Sequence, residues 1–132
     1  MYKLKLLSLT LLILLYLAAG INHFINPDGY IRIIPAYLPA HSLLNLLAGG
    51  FEILFALLLI FKKTRQPAAW GIILMLIAFL PVHITMVADA PLQVGKLMVT
   101  PLIAWLRLVV LQPLLILWAW WHTKPLHKPR NY

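Results

Sequence analysis

The sequence predicts an all-α integral membrane protein: a four-helix bundle with a short amphipathic segment between helices 1 and 2. Three observations carry that prediction. Hydrophobic residues make up 63% of the 132 residues and charged residues only 11%, with a mean hydropathy of +0.91, outside the range of soluble domains. The apolar residues fall into four runs, each near the roughly 20 residues a helix needs to cross a hydrocarbon core of about 30 Å. The charges, 11 Lys and Arg against 3 acids, gather mainly at the run ends, as the positive-inside rule describes.

The four runs leave no room for a soluble domain. Residues 1–132 read as a single membrane domain with helices over about 4–23, 42–61, 67–88 and 101–121 and a basic C-terminal tail over 122–132. The chain has no cysteine, which excludes thiolate nucleophiles, iron–sulfur clusters, c-type haem attachment and Cys-ligated zinc. The basic excess could suggest nucleic acid. Its placement at the run ends points instead to the lipid bilayer and its anionic head groups.

The first run follows Lys3 and Lys5 and ends in Ala18-Ala19-Gly20-Ile21-Asn22-His23. A signal peptide has a similar layout; the polar pair Asn22-His23 favours a retained helix. Asn26-Pro27 reads as an N-cap followed by proline at the first helical position. The segment Pro27–Leu38, with Tyr30, Ile31, Ile33 and Ile34 around Arg32, is expected to lie at the membrane surface and lid one mouth of the bundle. Pro35 and Pro39 break it. Lys62-Lys63-Thr64-Arg65-Gln66 is a basic turn before the third run, and Pro67 sits in that run's first turn. Asp89–Thr100 is expected as a polar loop, and Thr100-Pro101 repeats the cap-then-proline signature. Trp118, Trp120 and Trp121 form an aromatic belt at the end of the fourth run, and the tail beyond it is expected to be disordered.

With four crossings, Lys3, Lys5, Lys62, Lys63, Arg65, Lys124, Lys128 and Arg130 share one side, while Arg32 and Lys96 share the other. Eight cations against two place both termini in the cytoplasm, in a bacterial inner membrane by this reading.

Asn45, Gly49, Glu52 and Ala56 are spaced to line one face of the second helix. That face is small and polar inside a run of Leu, Ile and Phe, so it is expected to point at the bundle interior. Intramembrane polar groups are costly and need a partner or a task. The candidate ligand-binding residues are His23, Glu52, His83, Arg107 and Gln112. A rise of 1.5 Å per residue puts Glu52 near mid-membrane, Arg107 about 8 Å into the fourth helix, and four of the five in the outer half. Glu52 and Arg107 are the expected ion pair, serving either to join two helices or to bind an acidic or carbonyl-bearing ligand. His23 and His83 could ligate a haem or a metal, but without fixed spacing that signal is weak and no metal site is assigned. Pro81 and Pro113 lie within helices and free the carbonyls of Ile77 and Val109. Gly49-Gly50 allows close helix packing.

These residues also resemble the DoxX-like family of small membrane proteins. The matching pieces are Gly20-Ile-Asn-His23-Phe24 with Pro27 and Tyr30, Ile34-Pro35, Leu38-Pro39, and Gly49-Gly50-Phe51-Glu52. Further along come Arg65 with Ala68-Ala69-Trp70-Gly71, Pro81-Val82-His83-Ile84, and Trp105-Leu106-Arg107-Leu108 with Gln112. The resemblance implies a four-helix membrane protein with a short helical segment after the first crossing, in a group that includes subunits of quinone-linked sulfur oxidation and proteins tied to membrane redox complexes. Two features depart from the family pattern. His83 stands where many relatives have Asn, and the Arg107–Gln112 gap is five residues where many have four. On a regular helix a five-residue gap separates two side chains by about 140°, unless Pro113 distorts it.

Three functions follow as expectations. The first is a membrane redox accessory protein whose outer-half pocket holds a quinone; Arg107 and His83 would meet the carbonyl oxygens and Glu52 would exchange a proton. The second is a non-catalytic subunit or assembly partner of a membrane complex. The third, a small transporter, is disfavoured by the single intramembrane carboxylate. No pattern assigns an enzymatic reaction, and haem is disfavoured as cofactor. The candidate partners are the bilayer, subunits of a redox complex and a second copy of the chain, with no nucleic acid.

Overall fold

The computed structural model describes residues 1–127 and is mostly helical. Four helical stretches are long and apolar enough to cross a membrane: Tyr2–Ile25, His41–Ile60, Arg65–Asp89 and Pro101–His122. Their bounds lie within a few residues of the expected ones. The first helix, α1 (Tyr2–Ile25), takes in the basic start and continues through Asn22-His23. After it come α2 (Pro27–Ile33) and α3 (His41–Ile60).

Proline 27 stands at the start of α2 as expected, but Asn26 does not cap that helix. Its amide instead donates to Asn22 Oδ1 at 2.7 Å, drawn back along α1. Thr100 caps as expected, its hydroxyl accepting from the Ile103 N–H at 3.3 Å.

The two remaining candidate spans are irregular, each at its internal proline. The third divides at Phe79 into α4 (Arg65–Ala78) and α5 (Leu80–Asp89). Pro81 has no N–H to offer Ile77 and its ring crowds that carbonyl. The fourth consists of α6 (Pro101–Leu106), a π-helical turn over Arg107–Leu111, and α7 (Gln112–His122). Pro113 cannot pair with Val109. Just ahead of it the ladder slips by one residue, and the Gln112 N–H bonds to the Arg107 carbonyl.

The expected polar loop between Asp89 and Thr100 contains a β-hairpin, β1 (Leu92–Val94) with β2 (Leu97–Val99). Leu92 faces Val99 and Val94 faces Leu97. Gly95 has φ +60° at the first of the two turn residues, the position where a type II′ turn calls for glycine. Strands of three residues show too little alternation to be read from sequence.

Side chains at the two ends pack differently. A large core joins Leu9, Leu12 and Tyr16 of α1, Ala56 and Leu59 of α3, Ile72 and Leu76 of α4, and Ala119 of α7. A smaller cluster at the hairpin end gathers Met86, Val99 and Ala104 with Ile33 and Leu92. The start of the tail is not free: Thr123 is buried and Leu126 packs on the large core. The rest of the expected tail, including Lys128 and Arg130, lies outside the described residues.

The most extensive packing is between α1 and α3. A Cβ added at Gly20 would lie 2.8 Å from the Gly49 carbonyl, and one at Gly49 would lie 2.6 Å from His23 Cβ and 3.0 Å from the Gly20 carbonyl. Close approach therefore uses Gly49 and Gly20; a Cβ at Gly50 would meet nothing within 4 Å. Gly20→Val is expected to destabilise the protein by about 1–3 kcal/mol through overpacking against backbone, whereas Gly50→Ala is neutral or gains up to about 1 kcal/mol of helix propensity. Unfolding midpoints of the two variants in detergent check this, and equal midpoints would refute the close-approach account.

Candidate functional site

The buried face of α3 is the one its spacing marks out: Asn45, Gly49, Glu52, Ala56 and Leu59. Because Gly20 and Gly49 let the backbones meet, His23 of α1 is set against this face. The helices run antiparallel and side chains tilt toward their own helix N-terminus. His23 and Glu52 therefore lean toward one another.

Three contacts lock the pair. His23 Nδ1 lies 2.7 Å from Asn45 Oδ1, and Asn45 Nδ2 donates to the His23 carbonyl at 3.0 Å. Glu52 Oε2 faces His23 Nε2 at 3.3 Å, without the alignment of a hydrogen bond. Since the Asn45 amide nitrogen is spent on a carbonyl, its oxygen must face the imidazole, which puts a proton on Nδ1. Nε2 and Oε2 then need one further proton between them, on the ring or on the carboxyl, or two lone pairs would oppose each other. Tyr30 of α2 stacks on the His23 ring at a centroid distance of 3.7 Å, and its hydroxyl accepts from Asn22 Nδ2 at 2.7 Å. The segment after the first crossing thus covers the pair.

The expected Glu52–Arg107 ion pair is not formed. Glu52 pairs with His23, because the glycine contact brings α1 against α3. Arg107 turns to its own helix and donates from Nη1 to Gln112 Oε1 at 2.6 Å. The five-residue gap that would separate these two side chains on a regular helix is closed by the π turn, in which residues five apart are neighbours. Gln112, only 1% exposed, also donates from Nε2 to the carbonyl of Leu76. That carbonyl lies in the last turn before the break at Phe79, one residue ahead of the carbonyl that Pro81 cannot serve. One side chain therefore joins the irregularities of the third and fourth candidate spans.

His83 is buried in α5 and its Nδ1 has no partner. It lies within Coulombic reach of Arg107 but well apart in sequence from any ligand-like group, and among the described residues no cluster of three or more His, Asp or Glu could hold a metal ion. His23 and His83 are on different helices, and His23 Nδ1 is paired with Asn45.

One residue escapes the sequence reading. Tyr16 is buried and its hydroxyl has no partner. It lies within Coulombic reach of both Glu52 and Arg107. Its position seven residues before His23, on the same stripe as Leu9, Leu12 and Gly20, was the available signal. His23, Glu52, Tyr16, His83 and Gln112 are buried, and Arg107, bonded to Gln112, is half-buried.

Gln112→Leu leaves the half-buried Arg107 and the buried Leu76 carbonyl without their partner, at about 1–3 kcal/mol for the carbonyl. The unfolding midpoint should fall accordingly, and Arg107→Leu should cost less in the Gln112→Leu background than alone, as coupled residues require. Additive losses in that double-mutant cycle would show that the π turn does not join the two side chains.

No curated protein and no solved structure matches the chain. One family model does, described as "Domain of unknown function (DUF8561)", over residues 12–123. That span contains Tyr16, His23, Asn45, Glu52, His83, Arg107 and Gln112, and with most of its length matched the chain belongs to the DUF8561 family.

Proposed function

We propose that the protein is an integral membrane four-helix bundle, a small redox accessory protein of DoxX-like type, which binds a quinone in its buried polar cluster. Support for the membrane reading comes from the surface. No more than 33% of any candidate span is buried inside the protein, and Leu, Ile and Phe side chains cover the remainder. Apolar area on that scale needs lipid or another protein against it. The charge count favours both termini on the cytoplasmic side of an inner membrane.

The observation that carries the ligand reading is the pair of buried polar atoms without a partner, Tyr16 Oη and His83 Nδ1. A cluster that served only to join helices would satisfy its members, since each orphaned group costs about 1–3 kcal/mol. Arg107 has guanidinium N–H groups beyond the one bonded to Gln112. Donors from Arg107, Tyr16 and His83 suit the two carbonyl oxygens of a quinone. The proton held between His23 and Glu52 suits the proton demand that accompanies quinone reduction. A second reading, a non-catalytic subunit, draws on the reciprocal His23–Asn45 bonds, whose evident effect is to fix α1 on α3.

The test is solvent extraction of the protein purified in mild detergent, with quinone measured by its redox difference absorbance. The expected result is about one quinone per chain, reduced at least fivefold in Arg107→Leu and in His83→Ala, while Gly50→Ala keeps it. Quinone no higher than in an unrelated membrane protein prepared alike would overturn the reading, and a bare chain travelling with another protein would favour the subunit.

A further inference from the structure

At the end opposite the hairpin, a cleft of about 380 Å³ opens between the start of α1, the α3–α4 turn and the end of α7. Lys62, Arg65 and Lys124 line it, with Gln66 and His122. A fourth cation, Lys5, is tied to its rim by donating to the carbonyls of Lys124 at 3.1 Å and Pro125 at 3.4 Å. Arg65 and Lys124 are held in place. Arg65 donates from Nε to the Leu59 carbonyl at 2.9 Å and from Nη2 to the Ile60 carbonyl at 3.1 Å. The Lys124 ammonium sits 4.1 Å above the Trp120 ring.

No carboxylate side chain balances them. The three acids of the sequence are Asp28, Glu52 and Asp89; Asp28 lies on α2 and Asp89 ends α5, both at the hairpin end, and Glu52 faces His23. The first turn of α4, which contributes Arg65 and Gln66, adds the positive end of a 14-residue helix.

His122 is the second, independent sign. It is 1% exposed, lines the cleft, and has no partner at Nδ1. Its Nε2 lies 3.0 Å from Ser8 Oγ, and that oxygen accepts from Trp118 Nε1 at 2.8 Å. When the Ser8 hydroxyl donates to Nε2, the ring proton stands on Nδ1. The cleft therefore has a buried, unspent N–H donor beside fixed cations. That combination recognises an acceptor-rich anion, not a neutral or cationic group.

We propose that this cleft binds a phosphate group, supplied by the head group of an anionic membrane lipid or by a phosphate-bearing solute. The proposal is independent of the quinone reading and uses none of its residues. The test uses the full chain in a neutral detergent and measures binding by native mass spectrometry. The probes are phosphatidylglycerol, phosphatidylcholine of the same acyl chains, and inorganic phosphate. One phosphatidylglycerol per chain, held at least tenfold more tightly than phosphatidylcholine, identifies a lipid head group. Inorganic phosphate competing it away at millimolar concentration identifies a site open to free phosphate as well.

Lys62→Gln with Lys124→Gln should weaken that binding at least tenfold, and His122→Phe several-fold. Neither lysine ammonium makes a hydrogen bond among the described residues, so the double variant should stay folded. Lys3→Gln with Lys63→Gln removes the same charge outside the cleft and should leave binding within twofold. Equal loss in the two double variants, or no preference for the anionic lipid, would overturn the proposal.

Discussion

The contact of α1 with α3 at Gly20 and Gly49 is the constraint on which the rest of the site depends. In a membrane, helices gain little from hiding apolar surface from one another, because lipid is equally apolar. On the membrane reading proposed above, close backbone approach and buried hydrogen bonds do that work. The two glycines supply the approach, and the reciprocal bonds between His23 and Asn45 supply the polar part. Their geometry also decides the chemistry. By settling the His23 tautomer, Asn45 obliges the neighbouring imidazole–carboxylate pair to hold a proton. A larger residue at either glycine would separate the helices and release both effects together.

A second constraint operates across the other two crossings. A proline inside a membrane helix leaves carbonyls with no water to turn to. Here the defects are placed so that each helps the other. The π turn ahead of Pro113 rotates Gln112 onto the side of Arg107, and the amide of Gln112 reaches a carbonyl beside the break that precedes Pro81. Arg107 thereby bonds to Gln112 rather than to Glu52. An ion pair between Glu52 and Arg107 would have neutralised both groups. The arrangement found leaves each with capacity to spare.

Much of this was legible in the sequence, and the reasons for the remainder are specific. The face Asn45–Gly49–Glu52–Ala56 follows from helical period alone. The helix bounds follow from run length, from Thr100-Pro101 and from the basic turn. The partner of Glu52 did not follow, because depth counted along separate helices says nothing about which pair packs most closely. The Arg107–Gln112 contact was hidden because 100° per residue fails inside a π turn. Tyr16 was hidden for a different reason: an aromatic residue in an apolar stripe looks like core, and only its seven-residue offset from His23 set it apart. The hairpin lacked the strand length that makes alternation visible, and Gly95 was its one local mark.

The two ends of the bundle divide the polar chemistry between them. At the hairpin end the donors are buried, few and partly uncommitted, over a stacked Tyr30. At the opposite end the cations are half-buried or exposed, with Arg65 held by helix carbonyls and Lys124 by an indole ring. Ser8, Trp118 and His122 join α1 to α7 there by hydrogen bonds, where the two helices otherwise touch little. That small chain does for α1 and α7 what His23 and Asn45 do for α1 and α3. In both places a histidine is held through one nitrogen by a neutral side chain, which leaves its other nitrogen to face what lies beyond. The same device thus appears twice, with a carboxyl group beyond the first imidazole and a cationic cleft beyond the second, and the difference in what lies beyond sets the difference in what each end can hold.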